Sequence, residues 1–297
     1  MDKYILAFEH SSSLFYTIVA IYSLLVGSFL NVVIHRLPKM LEKGWTQECQ
    51  IYLAPHEKEN EVRNTFDKQE KLTLATPRST CPNCQHKITV LENMPILSWL
   101  ILRGKCSQCD GAISIRYPLI EGLTAVLSVL VASKYGVSLE TIFALIMTWC
   151  LICLAFIDYD HMLLPDQITL PLLWLGLLVN VNGYFVELES AVIGATVGYL
   201  LLFGVGYIYE LLTGGSGMGN GDYKLTAVFG AWFGWSILPY LIGISALAMT
   251  IVGSYLIVCK GRGRNEPLPF GPFLAISGWF VLIYGVKFKE LILVQLN

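Results

Sequence analysis

Long apolar runs alternate with short polar segments along most of the chain. A helix needs roughly 20 apolar residues to span the hydrocarbon core of a membrane, and most of these runs reach that length. The pattern therefore predicts an all-α polytopic membrane protein with about eight transmembrane helices. The sixth run is short and Pro239 separates it from the seventh, so one broken helix with a re-entrant piece is the alternative. The runs are residues 14–35, 117–134, 139–158, 164–185, 188–212, 223–236, 238–259 and 270–287.

The segment 37–116 has no run long enough to span a membrane, and it holds most of the charge. Within it, residues 44–77 show neither helical nor strand periodicity and predict a flexible insertion, whereas residues 78–116 have the pattern of a folded module. We therefore expect three parts in the chain. These are an N-terminal transmembrane anchor helix (1–36), a small cytosolic domain (37–116) and a seven-helix membrane domain (117–297).

Composition supports this architecture and orients it. Only 14% of the residues are charged, against about 25% in a soluble domain. Twelve of the 20 Lys and Arg residues lie in 36–116, and the positive-inside rule assigns such a segment to the cytosol. Both termini are then outside, and the first run is a signal anchor and not a cleavable signal. The lipid bilayer is the expected partner, and no nucleic acid is expected.

Two acidic residues stand at predicted cytosolic ends of helices. Asp158 closes the third apolar run, and Asp222 follows the glycine-rich stretch 214–221 at the start of the sixth. An acidic side chain at the edge of the hydrocarbon is costly and suggests a function. Two carboxylates close together in a low-dielectric site share a proton, so one acts as general base on a water while the other acts as general acid. The structural alternative is a flexible loop followed by a carboxylate that the helix dipole stabilises.

Other polar residues near Asp158 are weaker candidates. Asp160 and His161 lie in the short turn, where solvated groups are expected, and Asp166 follows Pro165 in a position suited to capping the fourth helix. The glycines before Asp222 permit a sharp turn and close approach of another backbone. Gly-x-Gly-Asp is not a nucleotide loop here, because no strand precedes it and no Lys-Ser or Lys-Thr follows it.

Four cysteines form two C-x2-C pairs, Cys81 with Cys84 and Cys106 with Cys109. Their spacing is close to that of a zinc ribbon and predicts a closed, structural four-cysteine zinc site. A redox or metal-free role is the alternative, although cytosolic redox pairs usually belong to a βαβ pattern. A domain of about 40 residues needs such a staple to fold. Cys150 and Cys153 lie inside the third run and are expected to pack as small hydrophobic residues.

The motifs IDYDH and GMGNGDYKL, which contain Asp158 and Asp222, resemble the type IV prepilin peptidase family of G-x-G-D aspartyl proteases. GSFLNVVIHRLP, ENMPILSWLILRGKC, ISIRYPLIE and LPFGPFLA resemble its bifunctional bacterial branch, and only 44–77 is uncharacteristic. The resemblance implies that Asp158 and Asp222 are the catalytic pair. It also implies that the substrates are prepilins and type II secretion pseudopilins, whose basic leader is cut from an apolar helix at the cytosolic face of the bacterial inner membrane.

The resemblance implies a second reaction, methylation of the new N-terminal amine by S-adenosylmethionine. No G-x-G-x-x-G follows a strand, so a soluble-type methyltransferase domain is not expected. The segment 92–105 is the candidate region, with Gly104 and Lys105 as candidate cofactor-binding residues; the alternative is a structural hairpin that holds the zinc module. Glu121 is a further acidic candidate near the start of the second helix. The motif 269–272 is expected to shape a helix start beside the active site.

Two other functions remain as alternatives. One is a membrane methyltransferase whose acidic pair is vestigial, which the intact aspartates and glycine loop disfavour. The other is a transporter whose carboxylates bind a cation, which is disfavoured because transporter sites lie near mid-span and these aspartates lie at helix ends.

Overall fold

The computed structural model describes residues 11–55, 72–215, 217–261, 263 and 266–295, with side chains as far as Gly285. These ranges contain helices and only two isolated β-bridges, which confirms the all-α prediction. The helices are α1 (Ser12–Leu53), α2 (Leu97–Ile101), α3 (Arg116–Tyr135), α4 (Leu139–His161), α5 (Asp166–Asn180), α6 (Leu188–Thr213), α7 (Asn220–Phe233), α8 (Leu238–Lys260) and α9 (Gly271–Gln295).

Each predicted apolar run overlaps one of these helices. Within the described ranges, five helices are long and apolar enough to cross a membrane: α1, α3, α4, α6 and Trp235–Lys260, which joins a 3-10 turn to α8. The chain is therefore a multi-pass membrane protein. The sixth and seventh runs form separate helices, because Gly234 adopts φ 78° between them and the 3-10 turn Trp235–Ile237 follows. Helix α7 has 14 residues and is about 21 Å long, shorter than a hydrocarbon core of about 30 Å.

Helix α1 is longer than its apolar run. The absence of periodicity predicted no helix in 44–77, and this is wrong for 44–53, because α1 continues to Leu53 with Pro38 inside it. A helix that is already nucleated gains one hydrogen bond for each added residue, and Gln47, Glu48 and Gln50 have good helix propensity. An amphipathic stripe is therefore not needed. The central part of the expected insertion, 56–71, lies outside the described residues.

The chain divides into two compact units, one of Ala20–Val126 and one of Met1–Val19 with Leu127–Asn297. The two units are defined by how densely their residues contact one another. They do not test the division into an anchor helix, a cytosolic domain and a membrane domain, which stays a prediction. In the larger unit, α7 is the most enclosed helix, since every residue of Asp222–Phe233 except Lys224 is buried. A helix that is buried all round is positioned by contacts on every side. The first turn of α7, which contains Asp222, is therefore held in a fixed position.

Small residues let α6 approach α7 closely. A Cβ added to Gly194 would collide with the carbonyl oxygen of Gly230, and a Cβ added to Gly198 would lie 2.7 Å from that of Thr226. Membrane helices commonly associate through such small residues, because lipid supplies no hydrophobic driving force. On the opposite side, the indole of Trp232 packs on Gly176 and donates a 2.9 Å hydrogen bond to Leu172 O.

The fourth apolar run was predicted to continue to residue 185, but α5 ends at Asn180. The side chain of Asn180 explains the stop, because its Oδ1 accepts hydrogen bonds from Phe185 N and Val186 N at 3.0 and 3.1 Å. Its Nδ2 donates to Ala231 O at 2.8 Å, at the last turn of α7. One buried amide therefore ends α5 and satisfies a carbonyl at the end of α7.

In the unit Ala20–Val126, polar side chains of α1 bind the segments on both sides of the cysteine pairs. Arg36 donates to Thr73 O at 3.0 Å and to Pro77 O at 2.7 Å. Asn31 donates to Tyr117 O at 3.2 Å, at the start of α3. These hydrogen bonds attach the cysteine-containing segment to the helix from which it emerges.

Candidate active site

Asp158 lies in the last turn of α4, directly after the buried Ile157. Helix α4 ends because Met162 adopts a left-handed conformation with φ 51°, and its N–H donates to Asp158 O at 2.9 Å. The Asp158 side chain is only 6% exposed. Its Oδ2 accepts a 2.9 Å hydrogen bond from the backbone N–H of Gly271, the first residue of α9.

Gly271 can approach this carboxylate because it has no side chain. A Cβ at this position would lie 2.6 Å from Asp158 Oδ2, well inside van der Waals contact. The first N–H groups of a helix have no partner within the helix, and an anion is their preferred acceptor. The motif 269–272 therefore does more than shape a helix start. It supplies a donor to Asp158, and sequence reasoning missed this contact.

Asp222 is the third residue of α7, and its side chain is 8% exposed. Its backbone N–H donates to Gly219 O at 3.1 Å. Its Oδ1 is buried and has no hydrogen-bond partner among the described residues. Buried carboxylate oxygens nearly always have a partner, so an unpaired one is a typical feature of a group that binds water, a proton or a substrate.

The structure brings the two aspartates together. Asp222 lies within electrostatic range of the Asp158 carboxylate, and the buried Leu164 contacts the backbone beside each of them. A Cβ on Gly221 would lie 2.6 Å from Leu164 Cβ, and a Cβ on Gly271 would lie 3.1 Å from Leu164 Cδ2. Leu164 thus fills the space between the first turn of α7 and the first turn of α9.

The weaker acidic candidates lie elsewhere. Asp160 and His161 are exposed at the end of α4, as expected for the turn. The suggestion that Asp166 caps the fourth helix is wrong, because Pro165 occupies the N-cap position and makes no side-chain cap. Asp166 is instead the first residue of α5 and accepts hydrogen bonds of 2.6 and 2.8 Å from Lys224 Nζ. This ion pair ties the start of α5 to the first turn of α7.

Part of the glycine-rich stretch has the expected role. Gly214 ends α6 in a left-handed conformation with φ 73°, and its N–H donates to Glu210 O at 2.8 Å. This left-handed cap makes the sharp turn that the sequence predicted. The close approach at Gly221 is made by Leu164 of the same chain.

The four cysteines of the C-x2-C pairs form one cluster, with all four sulfur atoms within 4.8 Å of one another. Cys81 Sγ lies 3.8 Å from Cys109 Sγ, and Cys84 Sγ lies 3.9 Å from Cys106 Sγ. Zn–S bonds of about 2.3 Å in a tetrahedron place sulfurs about 3.8 Å apart, whereas a disulfide needs about 2.05 Å. The cluster therefore fits a zinc ion and not a pair of disulfides.

Backbone donors face these sulfurs. The N–H groups of Cys84 and Asn83 donate to Cys81 and lower the pKa of its thiol, whereas the neighbouring cysteines raise the pKa of the Cys109 thiol. Metal ligation needs the thiolate. The two C-x2-C turns also close in the same way, since Cys81 N donates to His86 O and Cys106 N donates to Gly111 O, both at 2.9 Å. Each pair therefore forms the same tight turn, which we call a knuckle.

The candidate cofactor residues lie in a hairpin after α2. Gly104 adopts φ 69°, and a Cβ there would lie 2.9 Å from the Trp99 ring. Its N–H donates to Trp99 O at 2.8 Å, its carbonyl accepts from Ile113 N at 2.7 Å, and Lys105 forms a β-bridge with Ala112. These contacts are the ones expected if the segment is a structural hairpin that holds the zinc module. The assignment of Gly104 and Lys105 to cofactor binding stays a prediction.

Comparison with known proteins gives the family. The model for the bacterial peptidase A24 N-terminal domain matches residues 21–135, and that for the type IV leader peptidase family matches 145–254. A prepilin leader peptidase/N-methyltransferase of Aeromonas salmonicida is 51% identical over 272 residues, which cover 92% of this chain and 91% of the relative. The chain belongs to the type IV leader peptidase family. The resemblance of the sequence motifs to this family is thereby confirmed.

Proteins from two further bacteria carry the same name and are slightly less similar to this chain. The relative in Neisseria gonorrhoeae is 49% identical, covering 89% of this chain and 88% of the relative. The one in Pseudomonas aeruginosa is 47% identical, covering 88% of each chain. No solved structure shows a significant match. The leader peptidase family thus accounts for both units of this chain, since its two models fall on successive segments.

Proposed function

We propose that this chain is an aspartyl endopeptidase in which Asp158 and Asp222 form the catalytic pair. The observation that carries the proposal is the proximity of two buried carboxylates from separate helices, one held by the Gly271 N–H and one with an unpaired oxygen. The names of the relatives, prepilin leader peptidase/N-methyltransferase, support the same reaction.

The two carboxylates have different surroundings, and this suggests how they divide the work. The Gly271 N–H holds Asp158 Oδ2 and fixes the orientation of that carboxylate. Asp222 Oδ1 has no protein donor among the described residues, so it is available to bind the attacking water or to share the proton. The pair titrates as a unit, and the general base and general acid are therefore roles of the pair.

We propose prepilins and type II secretion pseudopilins as substrates, cut on the cytosolic side of the bacterial inner membrane. A basic leader stays in the cytosol by the positive-inside rule, so the bond before the apolar helix lies at the cytosolic boundary. Asp158 lies in the last turn of α4 and Asp222 in the first turn of α7, at the helix ends that the distribution of Lys and Arg assigns to that side.

We propose that the same chain then methylates the new N-terminal amine. S-adenosylmethionine is the methyl donor that the N-methyltransferase part of the relatives' names implies. When bound, it supplies an electrophilic methyl group to the neutral amine, which loses a proton in the transfer. The hairpin 92–105, with Gly104 and Lys105, is our candidate for holding it. The four-cysteine zinc site would keep this hairpin folded, since such closed sites are structural.

One experiment tests both reactions. The purified chain in detergent is incubated with a peptide that has a basic leader and an apolar segment, with and without S-adenosylmethionine, and the products are weighed. Cleavage is expected in both conditions, and a product one methyl group heavier only with the donor. Asp158→Asn and Asp222→Asn should each abolish cleavage, whereas the matched neighbour Asp160→Asn should not. Full-rate cleavage by either active-site variant would refute the pair.

A further inference from the structure

The hairpin between the two cysteine pairs carries an apolar surface outside the membrane-spanning helices. Its members, which we call the apolar edge, are Val90, Leu91, Met94, Leu97, Leu100 and Ile101, and all six are exposed. Val90 is 77% exposed and Ile101 is 73% exposed. Soluble proteins rarely leave a contiguous apolar patch of this kind in water, and such patches mark a binding surface.

Three members of the apolar edge share one face of a helix. Leu97, Leu100 and Ile101 follow the i, i+3, i+4 spacing of one helix face on α2. The polar contacts of the hairpin are made within the zinc module. Glu92 accepts hydrogen bonds from Thr89 N at 2.8 Å and from the Ser107 hydroxyl, which binds the start of the hairpin to the second cysteine pair.

Glu92 and Trp99 hold the hairpin against the zinc module. Trp99 Nε1 donates to Ile113 O at 3.1 Å, and the Trp99 ring covers Gly104. The hydrogen bonds to Glu92 from Ser107 and Thr89 lower the pKa of its carboxyl to about 2, so this polar side is ionised at physiological pH. The hairpin is therefore amphipathic, with its polar side satisfied within the module and its apolar edge turned outward.

A hydrogen bond to Glu121 fixes the position of the hairpin along the axis of α3. The buried Glu121 Oε2 accepts a 2.7 Å hydrogen bond from Ile96 N, and Ile96 Cδ1 lies 3.7 Å from the place of a Cβ on Gly122. Glu121 lies five residues after Arg116, where α3 begins, which corresponds to a rise of about 7.5 Å along the helix. Amphipathic segments at membrane surfaces bury their apolar face about 5–10 Å into the boundary of headgroups and acyl chains. With the charged Arg116 at the headgroups, where basic residues at the ends of membrane helices reach, the hydrogen bond holds Ile96 at that depth.

An exposed charge next to the apolar edge fits a lipid surface. Arg103 lies two residues after Ile101 and is exposed. Anionic headgroups attract basic side chains at the cytosolic surface of a membrane. On the adjoining α3, Leu119 and Val126 are exposed, as residues facing lipid would be.

We infer that the apolar edge inserts into the cytosolic leaflet of the bilayer, so that the hairpin is an interfacial membrane anchor fastened to α3 by Glu121. The partner is the lipid surface itself, with anionic headgroups beside Arg103. This inference goes beyond the proposed reactions and does not depend on them.

The test uses the unaltered full-length chain in nanodiscs of phosphatidylethanolamine and phosphatidylglycerol. A diazirine dissolved in the lipid and a water-soluble carbene reagent are activated in separate samples, and labelled residues are mapped by mass spectrometry. The lipid reagent should label the apolar edge about fivefold or more above the exposed knuckle residues 107–110, and as strongly as Leu119 and Val126 on α3.

Two substituted proteins and the aqueous reagent complete the test. Ile101→Asp should reduce lipid labelling of Leu97 and Leu100 several-fold, whereas Gln108→Asp, an equal change on the same module, should not. Labelling of the edge by the aqueous reagent alone would overturn the inference. Aqueous labelling that a leader-bearing peptide suppresses would also overturn it, because the edge would then bind a protein and not lipid.

Discussion

The backbone N–H of Gly271 lies 2.9 Å from Asp158 Oδ2, although 113 residues separate the two in the chain. The contact joins the first turn of α9 to the last turn of α4. It depends on the absence of a side chain at residue 271, because a Cβ would lie 2.6 Å from the same oxygen. Substitution at this glycine therefore tests how much the proposed peptidase depends on the orientation of one carboxylate.

Gly271→Ala should reduce the rate of peptide cleavage by at least about tenfold, which corresponds to about 1.4 kcal/mol of transition-state stabilisation. The added methyl group must move either the Asp158 carboxylate or the start of α9. Cleavage is measured with the leader-bearing peptide, and the melting temperature is measured in parallel to detect unfolding. Gly204→Ala is the matched control, since a Cβ at Gly204 meets nothing within 4 Å. A Gly271→Ala enzyme with unchanged kcat/KM would show that the contact does not matter for cleavage.

Gly194→Ala should destabilise the membrane domain. A methyl group there would collide with the carbonyl oxygen of Gly230 and push α6 away from α7. Overpacking of this kind costs about 1–3 kcal/mol, so the melting temperature in detergent should fall by several degrees. Gly204→Ala on the same helix again serves as the comparison and should change it little. Equal melting temperatures for the two variants would contradict the close packing of α6 on α7.

The helices could be predicted from the sequence because segments that lie in lipid must be long and largely uncharged, and such runs are visible in the sequence. The choice of Asp158 over Asp160 followed from the same record, since Asp158 is the residue that ends the run. Its burial beside Asp222 agrees with that reasoning. Local sequence was thus sufficient wherever the membrane itself imposed the pattern.

Contacts between distant segments left no such record. Nothing local to Leu164 indicates that it packs between Gly221 and Gly271, and nothing local to Gly271 indicates its bond to Asp158. A Gly-Pro pair at the start of an apolar run on the cytosolic side was the only signal for that donor. The extension of α1 to Leu53 escaped prediction for another reason, since a helix that propagates from the membrane needs no apolar periodicity of its own.

Glu92→Gln should weaken the hairpin in a pH-dependent way. Hydrogen bonds from Ser107 and Thr89 lower the pKa of Glu92 to about 2, from a model-compound value of 4.5. A lowered folded pKa means that the carboxylate stabilises the fold above pH 4.5, and that this stabilisation is lost as the pH falls from there toward 2. Hydrogen exchange of Thr89 N–H is the measurement, with the Glu92→Gln change largest near neutral pH and shrinking in acid. Equal protection in both proteins at pH 7 would refute the role of this carboxylate.

Cys106→Ser should remove the zinc and unfold the module that contains the hairpin. The protein purified without chelators should contain about one zinc ion per chain, held by the four-cysteine cluster, and the variant should contain far less. Loss of this site should abolish methyl transfer to a cleaved peptide and should leave cleavage much less affected. The reason is that Asp158 and Asp222 belong to the other compact unit. Cys49→Ser is the control, since Cys49 is exposed on α1 and outside the cluster. Wild-type protein without stoichiometric zinc would refute the metal site, and methylation at full rate in Cys106→Ser would show that the hairpin does not need it.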